Sequence, residues 1–469
     1  MILKNLDDNN LDNFPVAIFG SGPAGITTAL ELEKKNIKCL LIEAGNENYS
    51  EISQKFYKGK IIGDLVTDLS SNRLRQFGGT SGHWGGFSKP LEKYNLKLWP
   101  LKYNELNSYS KRTCEILNIN NQFRKSSVNE FFNQIEFQYS SVRFADKFKN
   151  HIENSNNILL VLNTQLSHFV GYNKSVEYAE CISNKLIKKI TAKYFILACG
   201  GIENSRILLW SRDKNQEFID KDLPIGKYWM NHPWILGGIG VIIKKKLKKK
   251  IGNNFLEYDG PIHFAAKKEL ISEKKILSAA IYMNAKEDTK IYKEVIKDIL
   301  CVAPEYGKKI ARMVFGKDLK CGNIFTVLED EPNENNKIVL DEEKDEFGIP
   351  MVKLFYKKSR YVLKTAKLFL EEFGNLCRKD GLGRIAIADN IYNLEGFENI
   401  SVSHHIGGTR MGLDKFDSVV NKDLKVHNTN NLYISGSSSF ATAGYTNPTF
   451  TIIQLAIRLA EKINERLHA

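Results

Sequence analysis

Two adjacent histidines open the run Ser403-His-His-Ile-Gly-Gly-Thr-Arg-Met-Gly412, and farther on the chain reads Gly444-Tyr-Thr-Asn-Pro-Thr449. Histidine titrates near neutrality and is the side chain best suited to take a proton there. An asparagine amide can donate a hydrogen bond to a reacting oxygen. The residues Ile400-Ser-Val-Ser-His-His-Ile406 have the composition of a short strand, in which side chains alternate faces. Val402, His404 and Ile406 then share one face, and Ser403 and His405 the other. The apolar companions assign His404 to packing and leave His405 as the residue aimed at a site. Asn447 precedes Pro448, which also suits a helix cap followed by proline at the first helical position.

A third motif lies near the start. Pro15-Val-Ala-Ile-Phe19 is a continuous apolar run, as expected of a parallel strand buried on both faces. Gly20, Gly22 and Gly25 follow at G-x-G-x-x-G spacing, with Pro23 and Ala24 between them, and a helix is expected next. Gly20 permits the tight turn, Gly22 lets backbone approach a pyrophosphate, and Gly25 lets helix and strand pack closely. The helix N-terminus faces the phosphates. Lys38-Cys-Leu-Leu-Ile-Glu43 reads as the second strand, ending in a carboxylate that can bind ribose hydroxyls. This group of features predicts a dinucleotide site without deciding between FAD and NAD.

The segment Arg73-Leu-Arg-Gln-Phe-Gly-Gly-Thr-Ser-Gly-His-Trp-Gly-Gly-Phe-Ser-Lys-Pro90 has five glycines between Gly78 and Gly86. So many glycines let backbone lie flat against a planar ligand. Here the sequence resembles the glucose–methanol–choline (GMC) oxidoreductase family, whose members run a Gly-Gly-x-Ser segment beside the flavin. The His-Trp version is similar to pyranose oxidase and related sugar dehydrogenases. The resemblance implies FAD, contacted by Gly78, Gly79, Thr80, His83 and Trp84. It leaves open whether His83 carries the flavin covalently, as its counterpart in pyranose oxidase does.

The resemblance extends along most of the chain in pieces. Lys193-Tyr-Phe-Ile-Leu-Ala-Cys-Gly-Gly201 resembles the second flavin-contacting strand, with Gly200 at its end, and Ile202 to Trp210 reads as a helix capped by Asn204 or Ser205. Leu166 matches a residue whose backbone contacts the adenine. His232, in Leu223-Pro-Ile-Gly-Lys-Tyr-Trp-Met-Asn-His-Pro233, reads as structural. His405-Ile-Gly-Gly-Thr409 matches the family's His-x-x-Gly-Thr, so the resemblance also implies His405 as general base. Gly436, Ser437, Pro448 and Thr449 fall at cofactor-contacting places, and Asn447 at the one that points to the reacting hydroxyl. The implied reaction is oxidation of a CH–OH group, with hydride passing to flavin N5. The substrate would be a sugar, polyol or other alcohol, and the acceptor oxygen, a quinone or a protein. A lyase, a photochemical decarboxylase and a non-catalytic flavin-binding subunit are the competing readings on the same fold.

The fold class expected is α/β: a Rossmann-like FAD-binding domain with a discontinuous α+β substrate-binding domain. The FAD-binding domain is expected from residues 1–90, 156–232 and 400–469. A cap segment (91–155) and a substrate-binding domain (233–399) supply the rest. The region from Trp234 to about residue 330 offers no catalytic motif. Glu329 to Leu340 and Met351 to Tyr356 flank an acidic turn, and the run Asp341 to Glu346 reads as solvated.

With 469 residues, 42% hydrophobic and 26% charged, the chain is globular rather than disordered. Its longest apolar stretch, Trp234 to Ile243, is half of the roughly 20 residues a membrane span needs. Met1 to Asn13 lacks an apolar signal core. These features predict a soluble, cytoplasmic protein. The seven cysteines are scattered, with no Cys-x-x-Cys pair, so neither a disulfide scaffold nor a metal site is expected. Net charge is +13, and Lys244-Lys-Lys-Leu-Lys-Lys-Lys250 concentrates part of it. That run could meet an anionic membrane surface or an acidic redox partner, or be a solvated hairpin tip. Without interleaved aromatics or an amphipathic helix around it, the tip is favoured, and nucleic-acid binding is not expected.

Overall fold

The computed structural model describes residues 1–6, 13–64, 68–215, 218–257, 260–286, 296, 299–300, 303–315, 322–395 and 403–469. A six-stranded parallel sheet organises the nucleotide side. Its strands are β1 (Ile2–Leu3), β2 (Val16–Phe19), β3 (Cys39–Ile42), β4 (Ile158–Val161), β5 (Tyr194–Leu197) and β6 (Leu432–Ile434). They lie in the order β1-β4-β3-β2-β5-β6. β2, β3, β5 and β6 are buried along their whole length, which accounts for their continuous apolar runs.

Helix α1 (Pro23–Glu33) leaves β2 through the glycine turn, with Gly22 as N-cap and Pro23 at the first helical position. It is buried nearly all round because α3 (Thr449–His468) packs over it. Gly20 holds φ +101°, and a Cβ there would stand 2.5 Å from the Ala198 carbonyl oxygen. Helix α2 (Gly200–Lys214) follows β5. It starts earlier than the sequence suggested: Cys199 is the N-cap, and Asn204 lies within the helix, its Oδ1 reaching back to accept the Cys199 N–H at 2.8 Å.

The second layer is a mainly antiparallel eight-stranded sheet. Strand Trp234–Ile243, the longest apolar stretch of the sequence, pairs with Gly322–Leu328 on one side and Gly383–Ile387 on the other. Helix Arg360–Lys379 covers this sheet with Val362, Ala366, Phe369, Leu370, Phe373 and Leu376, a stripe of helical period. Phe369 and Phe373 contact Phe132, and Phe373 also contacts Phe264. The expected combination of a parallel α/β sheet with a separate, largely antiparallel sheet is present.

Three local expectations are corrected. The lysine run is not a hairpin tip but helix Lys244–Ile251. Lysine is a good helix former, Leu247 gives the turn a buried anchor, and Lys250 pairs with Asp380 at 2.8 Å. The acidic run is not simply a solvated turn. Strand Lys337–Lys344 continues into it, Asp341 pairs with Lys60 (3.0 Å) and Lys353 (3.4 Å), and Asp345 pairs with the buried Arg206 (2.7 Å). The segment 403–405 is irregular rather than a strand, with Ile406 in an isolated bridge to Met230; residues 400–402 of the expected strand lie outside the described residues.

Candidate active site

The ends of β2, β3, β5 and β6 open onto one cleft of ≈ 500 Å³. Its wall contains Gly20, Gly22, Pro23, Ala24 and Glu43 from the first unit, Gly79, Thr80, His83 and Trp84 from the glycine-rich segment, and Gly200 from the start of α2. Gly436 and Ser437 follow β6, and Asn447, Pro448 and Thr449 open α3. His404 and His405 also line it. Segments far apart in sequence thus meet at the C-terminal ends of a parallel sheet, where such sheets bind ligands.

The two glycine segments are joined directly: Gly78 N–H donates to the Ser21 carbonyl at 3.0 Å. Glu43 accepts from Ser21 N–H (3.0 Å), the Ser21 hydroxyl (2.7 Å) and Gly45 N–H (2.8 Å), so its carboxylate is fixed at the end of β3. Trp84 Nε1 donates to the Val142 carbonyl, and His83 is exposed beside it. Partial desolvation and the nearby Arg143 lower the His83 pKa.

Three of the expected cofactor residues do not line the cleft. Gly25 sits beneath it, where an added Cβ would lie 1.9 Å from the Gly20 oxygen; Gly78 packs on Ala145. Leu166 is buried in strand Thr164–Tyr172, paired with Cys181. Arg73 and Tyr57, which the motifs did not single out, do line it, the guanidinium lying 4.2 Å from the Tyr57 ring centroid.

A dinucleotide fits this wall. A Cβ added at Gly22 or Gly200 would meet nothing within 4 Å, and at Gly436 only the Asn204 amide at 3.8 Å. These glycines leave open space beside the backbone at three places around one cleft. Gly22 has ordinary extended torsions (φ −75°, ψ −173°), so a side chain there is unstrained. Gly22→Val should therefore fold normally yet bind flavin at least about tenfold more weakly, because the side chain occupies the phosphate approach. Gly25→Ala should instead cost about 1–3 kcal/mol of stability through the clash with Gly20. Flavin titration and denaturant unfolding of both variants separate the two roles; equal effects would contradict the assignment.

One backbone bridge places the two histidines. Met230 and Ile406 exchange backbone hydrogen bonds (2.7 and 3.1 Å) in an antiparallel bridge. Two residues out in that register, His232 and His404 oppose each other, with their Nδ1 atoms 3.0 Å apart. His405 turns to the other side. Its backbone and Cβ pack on Gly201, and its ring lies 5.8 Å from the ring of the fully buried Trp229. Alternation thus separates the histidines as expected, and both reach the cleft: Ile406 is buried, His405 lines the cleft from the side of Gly201, and His404 borders it from the side of His232. Apolar neighbours in a sequence do not distinguish a core from an apolar cavity.

A second cavity of ≈ 400 Å³ adjoins the first, and Gly85, Ser403, His404 and Asn447 line both. His405 lines only the first. Pro448 occupies the N-cap position of α3 and no side chain caps the helix, so Asn447 falls one residue before the expected cap and its amide is not used for capping.

Burial depresses the pKa of His232 to about 4, against weaker opposing hydrogen bonds from the 443–444 backbone. Burial, with His232 second, pushes His404 down to about 3. Both rings are therefore neutral at pH 7, and one hydrogen-bond direction follows. The Ala443 carbonyl can only accept, so His232 Nε2–H donates to it (3.1 Å). His232 Nδ1 is then the acceptor, His404 Nδ1–H donates to it, and the lone pair of His404 remains on Nε2. His263 is likewise depressed by burial to about 4.

These depressed values carry a sign for stability. The unfolded chain protonates these histidines near pH 6.5, the folded chain only near 4 or below. Their full contribution is present above pH 6.5 and is lost as pH falls toward 4, by up to about 1.4 kcal/mol per pH unit for each histidine. The melting temperature should fall markedly between pH 6.5 and 4.5; a flat profile would contradict the buried neutral assignment.

The family described as GMC oxidoreductase matches residues 332–456. Fructose dehydrogenase large subunit from Gluconobacter japonicus is 27% identical over 285 residues, 60% of this chain and 48% of that protein. 2-Methyl-1,2-propanediol dehydrogenase from Mycolicibacterium austroafricanum is 27% identical, over 59% of this chain and 49% of that protein. The chain thus spans about half the length of these relatives. Pyridoxine 4-oxidase from Mesorbium loti superposes with TM-score 0.60 at 12% identity, covering 97% of this chain and 99% of that one. Formate oxidase from Aspergillus oryzae RIB40, studied for FAD modification, gives TM-score 0.59 at 15% identity, covering 97% and 98%. Among the described residues, no helix is long and apolar enough to cross a membrane.

Proposed function

We infer, from a chain that belongs to the glucose–methanol–choline (GMC) oxidoreductases, an FAD-dependent oxidoreductase that oxidises a CH–OH group. The observation that carries this reading is the meeting of His404 and Asn447 where the dinucleotide cleft joins the second cavity. The alcohol lies in the second cavity with its reacting carbon toward the first.

When bound, FAD supplies the two-electron acceptor, held by the 20–25 turn, Glu43, the 78–86 segment and the N-terminal ends of α2 and α3. The protein supplies placement and proton handling. His404 Nε2 accepts the hydroxyl proton, and Asn447 donates a hydrogen bond that orients the substrate oxygen. His232 holds His404 in the productive tautomer through the 3.0 Å contact, and is in turn anchored on Ala443. His232 has its own brace: the preceding Asn231 N–H donates to the buried Asp330 carboxylate at 3.1 Å. His404 is preferred to His405 as the base because it borders both cavities, whereas His405 lines only the first.

Anaerobic spectroscopy tests the reading. Purified protein loaded with FAD should show a flavin absorption band that bleaches when a suitable alcohol is added. A band that no alcohol bleaches would count against alcohol oxidation while leaving flavin binding intact.

A further inference from the structure

The lining of the second cavity narrows the substrate. Resting on the reading above, we infer that the substrate is an uncharged, flat, largely apolar alcohol, an aryl or aryl-conjugated carbinol, rather than a free sugar, polyol or charged alcohol.

The cavity wall is aromatic. Phe87, Phe137, Trp234, Tyr282, Ile281 and Val327 are among its lining residues, and the described lining contains no Asp, Glu, Lys or Arg. Three strands of the large sheet build a platform of near-parallel rings. Trp234 lies 5.1 Å from Phe325 at 21°, Phe325 lies 5.0 Å from Tyr282 at 17°, and Trp234 and Tyr282 are inclined by 12°. Sheet register sets this arrangement, since Tyr282 and Phe325 are directly paired across adjacent strands. Of this group Trp234 and Tyr282 line the cavity, where they can pack against another flat ring, with Phe325 supporting them from within the sheet. Phe87 and Trp234 remain 46% and 42% exposed, more than large aromatics facing a closed core would be.

The polar groups argue in the same direction. His404 and Asn447 are engaged by the reacting hydroxyl, and His232 is already bonded on both ring nitrogens, so the polar side chains of the lining beyond these and Tyr445 are His263, Ser403 and the hydroxyl of Tyr282. The Tyr445 hydroxyl donates to Glu92 at 3.1 Å. A sugar brings several further hydroxyls, and each must find a partner when buried or be left unpaired at a cost. This wall has no carboxylate or guanidinium to receive them. A carboxylate or ammonium on the substrate would meet no counter-charge either, and the net charge of +13 repels cations at long range.

The test is steady-state and anaerobic reduction of the FAD-loaded protein by 4-methoxybenzyl alcohol and cinnamyl alcohol, set against fructose, glucose, glycerol and choline. The aryl alcohols should have kcat/KM on the order of 100-fold or more above any of the others. Trp234→Ala should raise KM for the aryl alcohols about tenfold with little change in kcat, the flavin spectrum remaining that of the parent protein. Faster reduction by a sugar, glycerol or choline would overturn this inference while leaving alcohol oxidation standing. Unchanged KM in Trp234→Ala would overturn the platform's role. Reduction by none of the six would remove the underlying reading together with the inference.

Discussion

His404→Ala should slow reduction of the bound flavin by about 100- to 10,000-fold, the range expected if the proposed general base is removed. His405→Ala should have a much smaller effect on that step and a larger one on stability. The contrast follows from the Met230–Ile406 bridge, which puts His404 opposite His232 and turns His405 toward Gly201 and Trp229. Neither ring nitrogen of His405 has a hydrogen-bond partner, so its imidazole is enclosed without being held by a polar contact. Stopped-flow reduction of both variants decides the matter. A collapse of the rate in His405→Ala, with His404→Ala close to the parent, would restore the assignment that the sequence alone favoured.

Glu203→Ala should destabilise the protein by about 3–5 kcal/mol, the cost of leaving buried charges without their partner. Glu203 sits in the first turn of α2, and its carboxylate bridges Arg73 (2.7 Å) and Arg206 (3.1 Å), all three side chains nearly inaccessible. Burial alone would raise its pKa, but the two guanidiniums hold it below the ordinary value. Arg206 retains Asp345 at 2.7 Å and the Pro350 carbonyl at 2.7 Å, whereas Arg73 keeps only backbone acceptors, at Leu69 and Tyr57. Because Arg73 lines the dinucleotide cleft, the variant should also weaken flavin binding. Urea unfolding of the apoprotein measures the first effect and flavin titration the second. A loss below about 1 kcal/mol would mean that the carboxylate contributes no more than an exposed pair.

The sequence made the nucleotide half legible because its signals are local. The run 15–19, the three glycines after it and the strand ending at Glu43 lie within one βαβ unit, and each appears where expected. The expected backbone contact of Leu166 rests on a short match, and its side chain is buried within strand Thr164–Tyr172. The roles of the two histidines depend on a pairing between residues 230 and 406, which no local pattern reveals. The lysine run carries no local signal for its helix, which depends on Leu247 finding a buried site. Least legible was the second cavity. Its aromatic wall is assembled from strands 234–243, 279–283 and 322–328, whose adjacency is a property of sheet register rather than of any motif.

The central claim is that an alcohol C–H bond is broken at a flavin between His404 and Asn447. The most direct test is single-turnover anaerobic reduction of the FAD-loaded protein by an alcohol and by the same alcohol deuterated at the carbinol carbon. Bleaching of the flavin with both, and severalfold more slowly with the deuterated form, is the predicted result. Equal rates with the two isotopologues, or a flavin that neither reduces, would contradict it.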